Sequence, residues 1–220
     1  MERESFTWKN GDWFKGNQPM LGPMSHAWWM ASSVFDGARS FGRLAPDLDR
    51  HCARLIESGR AFQMTSPVTK EELIALAWEG IEKFPTNAEL YIRPMMYFED
   101  GFVAPNTDST QCIMTVFEAP MPVWGGVKAM ISGFRRPNPE MAPTAAKASC
   151  LYPNVGRMLA EARAQGFDTT VVLDGVGNVA EFATNNLFIV RNSVVQTPVP
   201  NGTFLSGLTR RRVIELLIGD

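Results

Sequence analysis

Apolar positions recur at helical spacing in two stretches of the first half of the chain. Asp47–Phe62 places most of its apolar residues on one side of a helix, and Asp47 is a candidate N-cap for it. Thr69 and Glu72 form the pattern of a capping box, which opens a second amphipathic helix that Pro85 ends. The pattern therefore predicts two amphipathic helices in this region.

Other stretches of this half follow the period of a strand. Phe6–Phe14 is centred on Asn-Gly, the dipeptide that suits a two-residue hairpin turn. Asn87–Phe98 and residues 111–118 each form a strand pattern, with clear alternation in the first of them. Residues 25–42 indicate an irregular entry followed by a strand.

A stretch rich in proline and glycine, residues 119–126, is the best candidate for a linker. Beyond it, strand patterns alternate with turns, and two helix patterns begin near Tyr152 and Gly207. The strand patterns occupy residues 127–133, 169–174, 179–190 and 194–197. The chain therefore mixes helices and strands, and its length allows one large domain or two small ones.

Composition narrows the possible partners without naming a function. A chain of 220 residues with a net charge of −2 has no electrostatic footprint for nucleic acid or an acidic membrane. No apolar run is long enough to cross a membrane, and the N-terminus does not resemble a signal peptide. Three cysteines without metal-ligand spacing and two scattered histidines favour free thiols and no metal site. We expect a cytoplasmic protein.

The most distinctive chemistry lies at Lys147, the single lysine of residues 143–157, where its neighbours are mostly small. A lysine in a poorly solvated site loses proton affinity and can form a Schiff base with a carbonyl compound. The alternative is an ordinary surface lysine at the start of a helix. Some thirty residues later Glu181 follows a predicted turn, where a carboxylate is well placed to face a cleft.

Three blocks of sequence then point to one family. They are Pro-Thr-Ala-Ala-Lys147 with Tyr152, Ala-Glu181-Phe-Ala-Thr-Asn-Asn-Leu-Phe, and Leu-Ser-Gly-Leu-Thr-Arg210. In this order and spacing they resemble the class IV aminotransferases, most closely the branched-chain aminotransferases. The family consists of fold-type IV pyridoxal phosphate enzymes with a small N-terminal α/β domain and a larger C-terminal domain. The resemblance therefore implies an α/β (α+β) protein with an N-terminal domain at residues 1–119, an interdomain loop at 120–127 and a C-terminal domain with the cofactor lysine at 128–220. Because its members continue well beyond the last block, the resemblance implies that the C-terminal domain is incomplete here.

The resemblance implies a role for each residue of the cofactor site. Lys147 would form the Schiff base with pyridoxal 5′-phosphate and then act as general base and general acid. Glu181 would pair with the pyridine nitrogen, and Tyr152 would hydrogen-bond the ring hydroxyl. Thr184 is also placed in this site.

Arg54, Leu208 and Thr209 would hold the cofactor phosphate in this scheme. A guanidinium offers a bidentate fork to phosphate, and the N–H groups at a helix start attract anions. The alternative for Arg54 is a solvated basic face shared with Arg50, and we expect Arg211 and its neighbour Arg212 to be solvated.

The resemblance also implies a substrate pocket. Tyr91 and Arg93, on one face of the predicted strand, match the Tyr-Ile-Arg of branched-chain members, in which the arginine recognises the substrate carboxylate. A structural salt bridge is the alternative for Arg93. Phe35 and Arg39 would lie near the site, and Trp124 of the linker would touch the ligand or serve as a packing plug.

Gly37, between Phe35 and Arg39, would let the backbone approach closely.

Four functions remain open at this point. The first is transfer of an amino group from a branched-chain or similar L-amino acid to 2-oxoglutarate. Met30 and Asn185, where branched-chain members often carry tyrosine and glutamate, favour a D-amino acid or (R)-amine transaminase instead. A lyase like aminodeoxychorismate lyase and an inactive remnant of the fold are the other two. The resemblance further implies a homodimer with amino acid and 2-oxo acid substrates.

Overall fold

The computed structural model describes residues 3–122 and 125–219. Their contacts divide into two units. The first holds the described residues up to 122 together with residues 146–150, and the second holds those of 125–145 and from 151 onward. The predicted α/β class is confirmed, since both units contain helices as well as strands.

The first unit is built on a six-stranded antiparallel sheet with the order β2-β1-β6-β5-β3, in which β4 also pairs with β5. Its strands are β1 (Ser5–Lys9), β2 (Asp12–Lys15), β3 (Ser33–Phe35), β4 (Ala38–Phe41), β5 (Glu89–Phe98) and β6 (Thr110–Glu118). Asn10 and Gly11 both have positive φ and join β1 to β2 with Lys9 opposite Asp12, which confirms the predicted hairpin.

Strands β3 and β4 leave a break opposite the middle of β5. Phe35 pairs with Met95 and Ala38 pairs with Ile92, so Asp36 and Gly37 lie outside the ladder. Pro94 occupies the facing stretch of β5, where its lack of an N–H group costs no ladder bond. Its carbonyl accepts the N–H of Asp36 at 3.0 Å.

Helices α2 (Leu48–Arg60) and α3 (Lys70–Glu82) pack against this sheet. The capping box at α3 is confirmed, because Thr69 Oγ1 accepts the N–H of Glu72 and Glu72 accepts the N–H of Thr69. The predicted side-chain cap at Asp47 is wrong. Asp47 stands at the N-cap with a φ of 53° and makes no capping hydrogen bond, and its carboxylate lies 3.6 Å from the Nε of Arg50.

The irregular entry predicted before β3 is also wrong in part. Residues His26–Met30 form a five-residue helix, α1, which a left-handed Ala31 ends. So short a helix carries less than two turns of pattern, and its two adjacent tryptophans give no helical period.

The second unit holds a three-stranded sheet in which β8 (Thr169–Leu173) lies between β7 (Ala129–Arg135) and β9 (Val179–Phe182). Helix α4 (Tyr152–Ala164) precedes β8, which runs parallel to β7. A hairpin of β10 (Ile189–Arg191) and β11 (Val194–Gln196) and a last helix, α5 (Leu208–Ile218), complete the described elements. Val155, Met158, Val172 and Ala183 form a buried core of this unit.

No helix among the described residues has the length and apolar character needed to cross a membrane. Within residues 3–122 and 125–219 no cluster of histidine, cysteine and acidic side chains could hold a metal ion.

Candidate active site

Lys147 lies in a segment that is fixed to the first unit by its backbone. Ala148 forms a bridge with Val34 of β3, and the N–H of Phe35 donates to the carbonyl of Lys147 at 3.0 Å. The N–H of Lys147 itself donates to the hydroxyl of Ser58 on α2 at 3.0 Å. The ammonium nitrogen lies 4.8 Å from the centroid of the Phe35 ring. Lys147 is therefore anchored on both sides, with its side chain against an aromatic face.

Beside this segment is a buried charged group that we call the Asp36 cluster, formed by Asp36, His51 and Arg54. Arg54 Nε donates to Asp36 Oδ2 at 2.7 Å, and Arg54 Nη2 donates to Oδ1 at 2.8 Å. His51 Nδ1 lies 2.7 Å from the same Oδ1. Burial opposes the charge of Asp36, but the hydrogen bonds and charges of Arg54 and His51 outweigh it and lower the carboxyl pKa to about 2. An ionised carboxylate only accepts, so His51 donates through Nδ1.

A third group of side chains lies on one face of the sheet, on the paired strands β4, β5 and β6. The rings of Tyr91 and Phe117 lie 5.3 Å apart, and the guanidinium of Arg93 lies 5.3 Å from the Phe117 centroid. Arg39 stacks over Tyr91 at 5.5 Å and donates to the carbonyl of Ala119. The Nε of Arg93 is buried and has no hydrogen-bond partner in the described part of the chain. The face thus presents two guanidinium groups on an aromatic platform.

Gly37 is where this face meets the break in the sheet. A Cβ atom built on Gly37 would lie 1.9 Å from the hydroxyl oxygen of Tyr91, so only glycine lets the backbone approach this closely. The structure confirms the predicted close approach and identifies Tyr91 as the group approached.

In the second unit the carboxylate-bearing Glu181 is buried, with 6% of its surface exposed. Its Oε1 lies 2.8 Å from Arg136 Nη2, and its Oε2 accepts from Asn186 Nδ2 at 3.0 Å. Arg136 also donates to the carbonyl of Ala183 at 2.8 Å, while its Nε is buried without a hydrogen-bond partner among the described residues. We call Arg136, Glu181 and Asn186 the Glu181 cluster.

The start of α5 adjoins this cluster through Asn186. The amide of Asn186 donates to the carbonyl of Leu205, and a Cβ on Gly207 would lie 1.8 Å from Asn186 Oδ1. Gly207 is the N-cap of α5 and offers no side-chain cap, so the N–H groups of the first turn keep no helical partner. Leu208 is buried and Thr209 is exposed. A carboxylate and a helix N-terminus are thus brought together within one unit.

The remaining predicted residues lie in simpler surroundings. Tyr152 is the first residue of α4 and is 37% exposed. Thr184 is exposed and its hydroxyl donates to the side-chain oxygen of Asn185 at 2.7 Å. Arg211 and Arg212 are exposed on α5, as predicted. Trp124 lies outside the described residues.

The model of the amino-transferase class IV family matches residues 33–218 of the chain. The chain is a class IV aminotransferase. A solved aminotransferase from Brucella abortus, described as bound to the cofactor PLP, is 48% identical with a TM-score of 0.95. It aligns over 98% of this chain and 78% of its own.

Two further relatives of this aminotransferase carry more specific names. The branched-chain-amino-acid aminotransferase of Escherichia coli K12 is 30% identical over 98% of this chain and 73% of its own length. The structure of a branched-chain aminotransferase from Thermoproteus uzoniensis with norvaline is 28% identical, with a TM-score of 0.88. It covers 97% of this chain and 74% of its own. This aminotransferase therefore spans about three quarters of the length of these relatives and has their fold.

Class IV aminotransferases are pyridoxal phosphate enzymes, and the residues of this aminotransferase fit that cofactor. The first unit supplies an amine at Lys147 and a guanidinium at Arg54, held in place as described above. The second unit has a carboxylate at Glu181 and, at the start of α5, N–H groups without a helical partner. An amine can react with the aldehyde of the cofactor, and a guanidinium or the N–H groups of a helix start can bind its phosphate. A carboxylate can pair with its pyridine nitrogen.

Several residues of these clusters were not assigned a role from the sequence. The sequence gives neither Asp36, between Phe35 and Gly37, nor His51, three residues before Arg54, a role of its own. Arg136 directly follows the last residue of β7, and a pair of arginines before Pro137 is its one available signal in the sequence. Ser58 lies 89 residues from Lys147 in the sequence, so no local pattern could have paired them.

Proposed function

We propose that this aminotransferase transfers the amino group of a branched-chain or similar L-amino acid to 2-oxoglutarate, with pyridoxal 5′-phosphate attached covalently at Lys147. The names of the relatives and the norvaline in the Thermoproteus uzoniensis structure support the donor class. The observation that carries the assignment of Lys147 is its double backbone anchor, to Phe35 and to Ser58. A surface lysine that serves only solvation needs no such anchor.

Each residue has a definite task in this proposal. The bound cofactor supplies the electron sink into which the carbanion charge of the substrate flows. The amine of Lys147 would take the proton from the substrate Cα as general base and would then deliver it, as general acid, to the C4′ atom of the cofactor. Glu181, oriented by Arg136 and Asn186, holds a proton at the pyridine nitrogen. Tyr152 donates to the ring oxygen.

The phosphate is held by charge and by backbone dipoles. Arg54 supplies a guanidinium, and the first N–H groups of α5, at Leu208 and Thr209, supply the partial positive charge of a helix start. Thr184 lies in the loop that follows the strand of Glu181, and we include it among the residues that bind the cofactor.

The stacked face of β5 suits the substrate. Arg93 keeps a buried Nε without a hydrogen-bond partner in the described residues, and a carboxylate oxygen would satisfy it. Arg39 and Tyr91 are stacked on the same face, and Phe35 pairs with Met95, two residues along β5 from Arg93, so we assign all three to the substrate pocket. We therefore assign Arg93 to bind the carboxylate of the amino acid donor. We assign Arg93 the same role toward a carboxylate of the acceptor, 2-oxoglutarate.

We further propose a cytoplasmic homodimer. The resemblance to the family supports the dimer. The three cysteines, Cys52, Cys112 and Cys150, all fall within the described residues and are unpaired there, which suits a reducing compartment.

Replacing Lys147 by alanine tests the central assignment. We expect Lys147→Ala to lose turnover and the absorbance near the visible edge that pyridoxal phosphate gives when bound to the wild-type protein. Lys128→Ala, at an exposed position, is the matched control and should behave as wild type. Borohydride treatment followed by peptide mass mapping should place the cofactor on Lys147. A label on another lysine, or full turnover by Lys147→Ala, would contradict the assignment.

A panel of donors tests the substrate class. L-leucine, D-alanine and (R)-1-phenylethylamine would each be offered with 2-oxoglutarate or pyruvate, and the product amino acid measured. We expect L-leucine with 2-oxoglutarate to give the highest kcat/KM, because Tyr91 and Arg93 match branched-chain members. Preference for either of the other donors would move the enzyme to the D-amino acid or (R)-amine class. Cofactor binding without transfer from any of the donors would instead point to a lyase or an inactive remnant.

A further inference from the structure

The carboxylate of Asp36 is the most fully used hydrogen-bond acceptor of the first unit. It is completely buried, and besides Arg54 and His51 the N–H of Gly37 donates to its Oδ1 at 2.7 Å. Its own N–H is bound to the carbonyl of Pro94, which fixes the backbone at the break between β3 and β4. Both the position and the plane of this carboxylate are therefore set by the fold.

This fixed carboxylate determines how Arg54 is oriented. Arg54 meets Asp36 through Nε and Nη2, which lie along one edge of the guanidinium plane. A two-point contact of this kind fixes both the direction and the rotation of the group. The hydrogen bonds of Arg54 within the described residues use only that edge, and 14% of the side chain is exposed. Nη1 is left for a further partner.

A role in stability alone explains the buried ion pair of Asp36 and Arg54 poorly. Taking a carboxylate and a guanidinium out of water is costly, and buried ion pairs can often be replaced by apolar residues without loss of stability. His51 adds a second donor from the same face of α2, three residues before Arg54. Two residues of one helix therefore converge on an acid that contributes little to the apolar core.

We propose that Asp36 is a positioning residue for the cofactor phosphate, which it serves by holding Arg54 so that Nη1 is presented to the phosphate. This inference rests on the proposed function, in which Arg54 binds the phosphate of pyridoxal 5′-phosphate. His51 supports the same orientation by occupying the Oδ1 oxygen of Asp36.

Comparison of pyridoxal 5′-phosphate with pyridoxal, which lacks the phosphate, isolates this role. In the full chain, Asp36→Asn should weaken the binding of pyridoxal phosphate about tenfold to a hundredfold, the usual effect of losing a hydrogen bond to a charged group. The affinity for pyridoxal should change less than about twofold, since only the phosphate contact is disturbed. Asp49→Asn, at an exposed acid on the helix α2 that also carries Arg54, is the matched control and should change neither affinity.

Two Arg54 variants complete the test. In an Arg54→Met background, Asp36→Asn should have no further effect on phosphate preference, because the group it orients is absent. If Asp36→Asn does not fold, Arg54→Lys provides the test instead, because it leaves Asp36 in place. A lysine cannot make the two-point contact, so it should lose most of the preference although it keeps the charge.

The outcomes separate this inference from the proposed function. Equal losses for pyridoxal phosphate and pyridoxal in Asp36→Asn, or full preference in Arg54→Lys, would overturn the positioning role while the function stands. A wild-type chain that does not bind pyridoxal phosphate would overturn the proposed function itself.

Discussion

The guanidinium and the carboxylate that we assign to the cofactor, at Arg54 and Glu181, are each paired with an opposite charge from the same unit. Asp36 holds Arg54, and Arg136 holds Glu181 at 2.8 Å. A buried charge without such a partner would be strongly unfavourable. The pairing therefore allows a guanidinium and a carboxylate to remain charged and oriented in poorly solvated places, and it leaves few side-chain rotations to be fixed when a ligand binds.

At the residue scale Gly37 offers a direct test of the substrate face. Gly37→Ala would place a methyl group 1.9 Å from the Tyr91 hydroxyl oxygen and 2.5 Å from the ring carbon that bears it. Tyr91 is stacked between Phe117 and Arg39, so its ring has little freedom to move away. We expect a loss of about 1–3 kcal/mol in the free energy of unfolding, as in other overpacked sites. We also expect a higher KM for the amino donor with unchanged cofactor affinity.

The control for this prediction is Gly22→Ala, where a Cβ would meet nothing within 4 Å. Steady-state kinetics and urea unfolding measure the two effects. In a Gly37→Ala, Tyr91→Leu double variant the stability cost should be smaller than the sum of the two single costs, because the overlap is gone. Strict additivity, or an unchanged KM in Gly37→Ala, would show that Tyr91 does not shape the substrate face.

At the scale of elements, features set by neighbouring residues were predictable and features set by distant ones were not. The Asn10–Gly11 hairpin and the capping box at Thr69 depend on a few consecutive residues, and both are present. Asp47 has the right residue type for a cap, but its positive φ turns the side chain toward Arg50. The helix at His26–Met30 is too short to show a period.

In the candidate site, too, features set by neighbouring residues were predictable and contacts between distant residues were not. The motif around Lys147 and the position of Glu181 are visible as short local patterns, and the family resemblance gives them roles. The contacts that fix them are not local, since Ser58 meets Lys147 across 89 residues and Arg136 meets Glu181 across 45 positions of the numbering. Patterns in a single sequence carry no information on such pairs. The roles of Asp36, Arg136 and Ser58 are therefore apparent only in the folded chain.

On the scale of the whole molecule, the first unit can be followed by its intrinsic fluorescence. Five of the six tryptophans, Trp8, Trp13, Trp28, Trp29 and Trp78, lie in this unit. Urea unfolding monitored by tryptophan fluorescence therefore reports mainly on the sheet and helices that hold the Asp36 cluster. This gives access to the contribution of one buried acid to the stability of the unit.

The last prediction concerns the acid limb of that stability. The pKa of Asp36 falls from an ordinary value of 3.8 to about 2 in the folded chain. A lowered pKa means that the unfolded state binds the proton more tightly, so the stabilisation is complete above pH 3.8 and is lost as the pH falls toward 2. Between pH 5 and pH 2 the wild type should therefore lose about 2 kcal/mol more than Asp36→Asn. Other carboxylates titrate in both proteins and cancel in the difference. Parallel pH profiles for the two proteins would show that Asp36 is not held as a buried carboxylate by Arg54 and His51.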